Sequence, residues 1–233
     1  MSDGNSLAPL RAPSVQRPLL GMTVLAVEDS RYASEALRLM CLRSGARIRR
    51  ADCLASARRH LQVYRPSVAI IDLGLPDGSG LDLIADLDQA RPRVGVILAI
   101  SGDPAAEAAA LDAGADGFLA KPVASLGAFQ QAVLHHLPPD RCPTGPYSVS
   151  NEVIRPDPLA YRDDLDHVLS LLERVPEAPV LAYVAQFLDG VASSAGDGVL
   201  AEAAAGLTRQ GIETGIARMR GLIAARLAER VAI

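Results

Sequence analysis

The chain reads as an α/β protein: a doubly wound five-stranded parallel sheet followed by an all-α helical bundle. Short apolar runs alternate with amphipathic stretches between residues 21 and 137, and each parallel connection needs a crossover long enough for a helix. Pro138, Pro139, Pro143, Pro146, Pro156 and Pro158 then exclude regular helix over residues 138–158 and mark a semi-extended linker. From residue 159 to 233 only helical periodicity recurs.

Residues 1–20, with Pro9, Pro13 and Pro18 among scattered Ser and Ala, lack the apolar core of a secretory signal and read as a flexible tail. Thr23-Val24-Leu25-Ala26-Val27 is the first strand, closed by Glu28-Asp29-Ser30. Ser30 can cap the next helix, whose apolar positions Ala33, Ala36, Leu37, Met40 and Cys41 recur at three and four until Gly45. A second strand, Ala46 to Ala51, alternates apolar residues with Arg and so is half exposed. The helix through Leu54, Ala57, Leu61 and Tyr64 is stopped by Pro66.

Val68-Ala69-Ile70-Ile71 is a strand buried on both faces that halts at Asp72, and Pro76, Gly78 and Gly80 make the next stretch a loop. Leu81, Leu83, Ile84 and Leu87 describe the third helix. Val94 to Ile100, the most apolar strand, ends at Ser101-Gly102-Asp103-Pro104, and Pro104 suits the first turn of a helix reaching Asp112. Gly117-Phe118-Leu119-Ala120 leads to Lys121-Pro122, and a helix from Ser125 to Leu137 closes the series. Beyond the linker, Leu165, Val168, Leu169 and Leu172 mark one helix, Val180 to Val191 a second and Val199 to Leu207 a third. Ile212, Ile216, Met219, Ile223 and Leu227 form the core stripe of a fourth.

A chain of 233 residues with 49% hydrophobic and 21% charged content can bury a proper core, and no segment approaches the roughly 20 apolar residues of a membrane span. A soluble, cytoplasmic protein without a membrane partner is expected. Cys41, Cys53 and Cys142 have neither metal-ligand spacing nor an even number, so reduced thiols are expected. The net charge is −4, and residues 151–233 carry 8 Arg against 12 Asp and Glu, which argues against a nucleic-acid partner. Among 23 basic residues only Lys121 is Lys. A lysine is a compact charge on a flexible stem that reaches a phosphoryl oxygen without a planar partner.

In a parallel sheet all strands end on one edge, where ligands bind, so Glu28, Asp29, Asp72, Ser101 and Lys121 are expected to converge there. An acid at a loop entry also has an ordinary reading, a turn residue bonding its own backbone. Clustered carboxylates repel one another unless a cation neutralises them, and an all-oxygen ligand set without His or Cys suits Mg²⁺. One carboxylate is then free to attack a phosphoryl group, with Lys121 and Ser101 stabilising the transferring oxygens. A haloacid-dehalogenase-like phosphatase would need a second acid where Gly74 stands. A dinucleotide site would need glycines where Glu28-Asp29-Ser30 stands.

These residues, with the loop Asp-Leu-Gly-Leu-Pro-Asp-Gly-Ser-Gly from Asp72 to Gly80, make residues 22–137 resemble a response-regulator receiver domain of two-component signalling. The resemblance implies a flavodoxin-like sheet and Asp72 as phosphoacceptor. It implies metal ligation by Glu28, Asp29, Asp72 and the backbone carbonyl of Gly74, a switch pair Ser101 and Phe118, and a cis bond at Lys121-Pro122. It also implies a sensor histidine kinase or a histidine phosphotransfer protein as partner, and no enzymatic activity beyond self-catalysed phosphorylation and dephosphorylation. Residues 159–233 show no Gly-rich cyclase motif and no basic recognition helix. They are expected to dimerise or to dock a partner protein, with Arg209, Arg218, Arg220, Arg226 and Arg230 as a charged flank. Their helix count is similar to that of a histidine phosphotransfer domain, but the sole histidine there, His167, lacks the Lys-Gly that follows in such domains. A phosphorelay intermediate or phosphate sink with a degenerate phosphotransfer-like bundle is the alternative.

Overall fold

A computed structural model describes residues 13–143, 150–173, 176–207 and 212–229. The strands β1 (Thr23–Val27), β2 (Arg47–Ala51), β3 (Val68–Asp72), β6 (Val96–Ser101) and β7 (Gly117–Ala120) form one parallel sheet in the order β2-β1-β3-β6-β7. The remaining two strands, β4 (Gly74–Leu75) and β5 (Gly78–Ser79), make a small antiparallel hairpin within the loop after Asp72. Ser79 then caps α3 (Gly80–Gln89), its hydroxyl accepting the Leu81 amide at 3.2 Å. The expected loop is thus a hairpin closing directly onto a helix.

The side-chain period of two divides the central strands between two cores. Val24, Ala26, Val68, Ile70, Leu98 and Ile100 pack under α1 (Arg31–Arg43) and α5 (Leu126–His135). Leu25, Val27, Ala69, Ile71, Ile97 and Ala99 pack under α2 (Leu54–Val63), α3 and α4 (Glu107–Asp112). β3 is buried along its whole length, which is why it reads as a continuous apolar run. Each such Ile or Val contributes about 1.5–3 kcal/mol on burial. At the sheet's edge, β2 exposes Arg47, Arg49 and Arg50, charges that discourage pairing with a further strand.

Three expectations are corrected. Pro104 opens a short 3-10 turn (Pro104–Ala106), and the α-helix starts only at Glu107. The tail is not loose up to residue 20: Leu19 is fully buried and its amide donates to the Ser44 carbonyl at 2.9 Å, whereas residues 1–12 lie outside the described residues. The linker is not simply semi-extended. It contains a 3-10 turn (Pro139–Arg141) and returns to the sheet, where Ile154 is buried and its amide donates to Ala124 at 2.8 Å.

The second half folds as α6 (Pro158–Leu171), α7 (Ala178–Ala195), α8 (Gly198–Gly206) and α9 (Ile212–Ala228). Leu165, Val168, Leu181, Val184, Leu188, Leu200, Ile216, Met219 and Ile223 form its core. The expected stripe on the last helix is shorter at its start, since Ile212 is 49% exposed. Gly196 ends α7 at φ 76°, a left-handed conformation suited to glycine. Asp197 then caps α8 and takes two hydrogen bonds from Arg226 and one from Tyr161, tying three helices together. Arg226 is therefore an internal clamp, not part of a solvated flank; Arg209 and Arg230 fall outside the described residues. No described helix is long and apolar enough to cross a membrane.

Candidate functional site

β3 delivers Asp72 to the C-terminal edge of the sheet, where the chain must turn. Gly80 permits that turn, because a Cβ there would lie 2.0 Å from the Asp72 carbonyl oxygen. β1 is followed directly by Glu28 and Asp29 in the neighbouring position, and β7 by Lys121, which a cis peptide bond joins to Pro122. A cavity of about 300 Å³ results, lined by Glu28, Asp29, Asp72, Gly74 and Lys121 among others. Ser101 and Phe118 do not line it. The Ser101 hydroxyl is buried and accepts the Asp103 amide at 3.1 Å, while Phe118 is half-buried and faces a separate cavity beside His135 and His136.

Lys121 Nζ donates to Asp72 Oδ2 at 2.8 Å and to Glu28 Oε1 at 3.0 Å. It also lies 2.8 Å from Glu28 Oε2, out of line for a hydrogen bond, and that buried oxygen has no hydrogen-bond partner among the described residues. Asp72 Oδ1 accepts the Gly74 amide at 3.3 Å. Burial pushes the Glu28 carboxyl well above its usual range, with Asp72 and Asp29 adding to the effect and Lys121 opposing it. Burial likewise raises Asp29, to about 6, against a hydrogen bond from Tyr183. Burial alone would lower Lys121, but its two carboxylate partners hold it above the ordinary lysine value.

The site is therefore an acid cluster with one ammonium. Glu28, Asp29 and Asp72 each offer an oxygen, all within 4.8 Å of one another. Three carboxylates at this spacing, one with an orphaned buried oxygen, fit a hard divalent cation bound by oxygen donors.

The sequence of residues 24–133 matches the response regulator receiver domain family. These residues are a receiver domain. Its similarity extends to the KDP operon transcriptional regulatory protein KdpE of Escherichia coli, 37% identical over 99 residues, covering 42% of this chain and 44% of that protein. A probable transcriptional regulatory protein, TcrX of Mycobacterium tuberculosis, is 34% identical over 102 residues, 43% and 44% of the two chains. The chain thus spans less than half the length of these curated relatives. Among solved structures, a putative response regulator from Chloroflexus aurantiacus is 32% identical with a TM-score of 0.41, covering 43% of this chain and 85% of that one. A Burkholderia pseudomallei response regulator, solved with a phosphorylated aspartic acid, a calcium ion and citrate, is 28% identical with a TM-score of 0.44, covering 52% and 68%.

The receiver domain does not stand alone at this site. Helices α6 and α7 pack on α1, and α7 forms the far wall of the cavity through Gln186, Phe187, Asp189 and Gly190. Tyr183 donates its hydroxyl to Asp29 Oδ2 at 2.7 Å. Asp164 of α6 is 2% exposed and binds the start of α1, accepting from the Ser30 hydroxyl at 2.8 Å and from the amides of Arg31 and Tyr32 at 2.8 and 3.0 Å. An anion at a helix N-terminus meets unsatisfied amides and the positive end of the dipole. Arg31 adds an exposed ion pair to Asp163 at 2.7 Å. None of Tyr183, Gln186 or Asp164 stands out in the sequence as a site residue. His167 is exposed on α6, edge-on to Phe187 at 5.8 Å between ring centroids, and does not line the cavity.

Proposed function

We propose that the protein is a two-component response regulator that accepts a phosphoryl group on Asp72, with Mg²⁺ held by Glu28, Asp29, Asp72 and the Gly74 carbonyl. The supporting observation is the Asp72 carboxylate, bonded to the only lysine in the chain and facing two further acids across a small cavity. An Asp72 oxygen attacks the phosphorus of a phosphohistidine on a sensor kinase or phosphotransfer protein, and the phosphorus–nitrogen bond breaks. Lys121 follows a phosphoryl oxygen as charge moves off the carboxylate. Mg²⁺, when bound, neutralises the crowded acids and the incoming phosphoryl oxygens. Ser101 and Phe118 form the switch pair, and the docked helices carry the output to a second copy or a partner protein. Leu159, Val180, Val199 and Ile212, one on each helix of the bundle, are exposed apolar side chains available to such a contact.

A second reading rests on the bundle's position over the phosphoacceptor, where a phosphotransfer domain would have to dock. The facing helix presents Tyr183, Gln186 and Asp189, and none of these is the imidazole that phosphoryl transfer needs. That favours a degenerate phosphotransfer-like module in a phosphate sink. The transcriptional role named for the relatives would require DNA binding, and a mobility shift on phosphorylation would favour it over both readings.

Incubation with acetyl phosphate and Mg²⁺, followed by borohydride trapping and peptide mass mapping, is expected to place the reduced acyl phosphate at Asp72 and to lose the signal when EDTA replaces Mg²⁺. Labelling at another residue, or labelling indifferent to EDTA, would refute the assignment.

A further inference from the structure

Tyr183, Gln186 and Gly190 lie three and four residues apart on α7, so they share one helix face, and that face is turned to the receiver site. Gln186 lies over the loop that follows Asp72. A Cβ placed on Gly74 would lie 2.3 Å from Gln186 Nε2, and the Gly74 amide is itself bonded to Asp72. The side-chain amide therefore rests against Gly74, two residues past the phosphoacceptor and lining the same cavity, yet it makes no hydrogen bond among the described residues, and Gln186 as a whole is exposed. Packing does not require an amide at this exposed position.

An aspartyl phosphate ends in water, and its hydrolysis is limited by placing that water in line with the bond to be broken. A primary amide suits the task because it accepts with Oε1 and donates with Nε2, holding a water by one of its hydrogens and a phosphoryl oxygen by the other end. Asp189 lines the same cavity, but a carboxylate would repel the phosphoryl oxygens.

We propose that the helical bundle supplies an aspartyl-phosphate hydrolysis function in cis, with Gln186 as the residue that positions the attacking water. The water oxygen bonds to phosphorus, the bond from phosphorus to the Asp72 carboxyl oxygen breaks, and that electron pair restores the carboxylate. Both hydrogens of the water leave on the product as dihydrogen phosphate, so no further acid or base is needed. The inference rests on Asp72 being the phosphoacceptor.

The test uses the full chain labelled with ³²P-acetyl phosphate and Mg²⁺, desalted, and followed for release of inorganic phosphate. Gln186→Ala and the isosteric Gln186→Glu are each expected to retain the label about tenfold longer than the parent, less than the roughly hundredfold or greater loss seen when a donor to the reacting oxygen itself is removed, because Gln186 only positions the water. Hydrogen exchange at the Arg31 and Tyr32 amides reports whether the bundle stays docked, since Asp164 covers both. Slower release with unchanged protection supports the inference. Release at the parent rate in both variants overturns it, and so does a slowing that appears only with lost protection. A parent that takes no label overturns the phosphoacceptor reading together with this one.

Discussion

Asp72→Asn is expected to abolish phosphoryl uptake altogether while leaving the fold intact. The variant keeps a side-chain oxygen to accept from Lys121, which otherwise donates to Asp72 at 2.8 Å, but an amide oxygen is too weak a nucleophile to attack phosphorus. The fold survives because the substitution removes one of three crowded acids rather than a partner that the others need. Lys121 still has Glu28, with two oxygens within 3.0 Å of its nitrogen. Without Mg²⁺ the variant is expected to melt at or above the parent temperature, because mutual repulsion of the buried carboxylates falls. With Mg²⁺ the parent gains thermal stability and the variant gains less, since a ligand stabilises the folded state more the more tightly it binds, as the logarithm of its concentration over Kd. Borohydride trapping and calorimetry in both conditions check this. A variant that still takes label, or that unfolds at low temperature, contradicts the assignment.

Asp164→Ala is expected to release α6 and α7 from the receiver domain without unfolding either. Asp164 accepts three hydrogen bonds from the start of α1 and is 2% exposed, so its loss strands one hydroxyl and two amides under the bundle. Each stranded group costs about 1–3 kcal/mol, and undocking, which returns them to water, is the less costly outcome. The docked arrangement should therefore weaken by about 3 kcal/mol, around a hundredfold in population. Small-angle scattering is expected to show a larger radius of gyration, and the Arg31 and Tyr32 amides to lose exchange protection. Acetyl phosphate should then label Asp72 faster than in the parent, as the α7 wall of the cavity has moved away. An unchanged radius together with unchanged protection would mean that Asp164 caps α1 without holding the bundle.

The sheet was readable because its signals are local. β3 is apolar along its length as it is buried on both faces, and the groups at strand ends are acids, a hydroxyl and a lysine in a background of arginine. Parallel topology then brings Glu28, Asp29, Asp72 and Lys121 together without further information. The hairpin β4–β5 was not readable, since its strands have only two residues each and its pairing depends on Ser79 starting α3. Leu19 was missed for a different reason. A single leucine in a proline-containing tail has no periodicity, and it is fixed by the tertiary core and by the Ser44 carbonyl.

The contacts of the bundle with the site were less legible still, because they are long-range pairings between polar residues. One signal existed at Asp164. Tyr161, Asp164, Val168 and Leu172 share a helix face, so an acid stands where the core stripe calls for an apolar residue, and a buried acid requires partners. The sequence does not say that those partners are the first amides of α1. Similarly, Tyr183 flanks the core of α7 and Gln186 is exposed on the side away from it, which in sequence looks like an ordinary core edge and solvated face.

The scarcity of lysine in this chain has a practical side. With 22 arginines and one lysine, the protein has a single side-chain primary amine, and that amine is 10% exposed between two carboxylates beneath the α7 wall. Guanidinium groups do not acylate under conditions where amines do, so side-chain amine chemistry on this molecule is chemistry at the acid cluster around Asp72. Lys121 is a native reporter placed by the fold, and its modification requires both access past the α7 wall and loss of the proton that Asp72 and Glu28 hold on it.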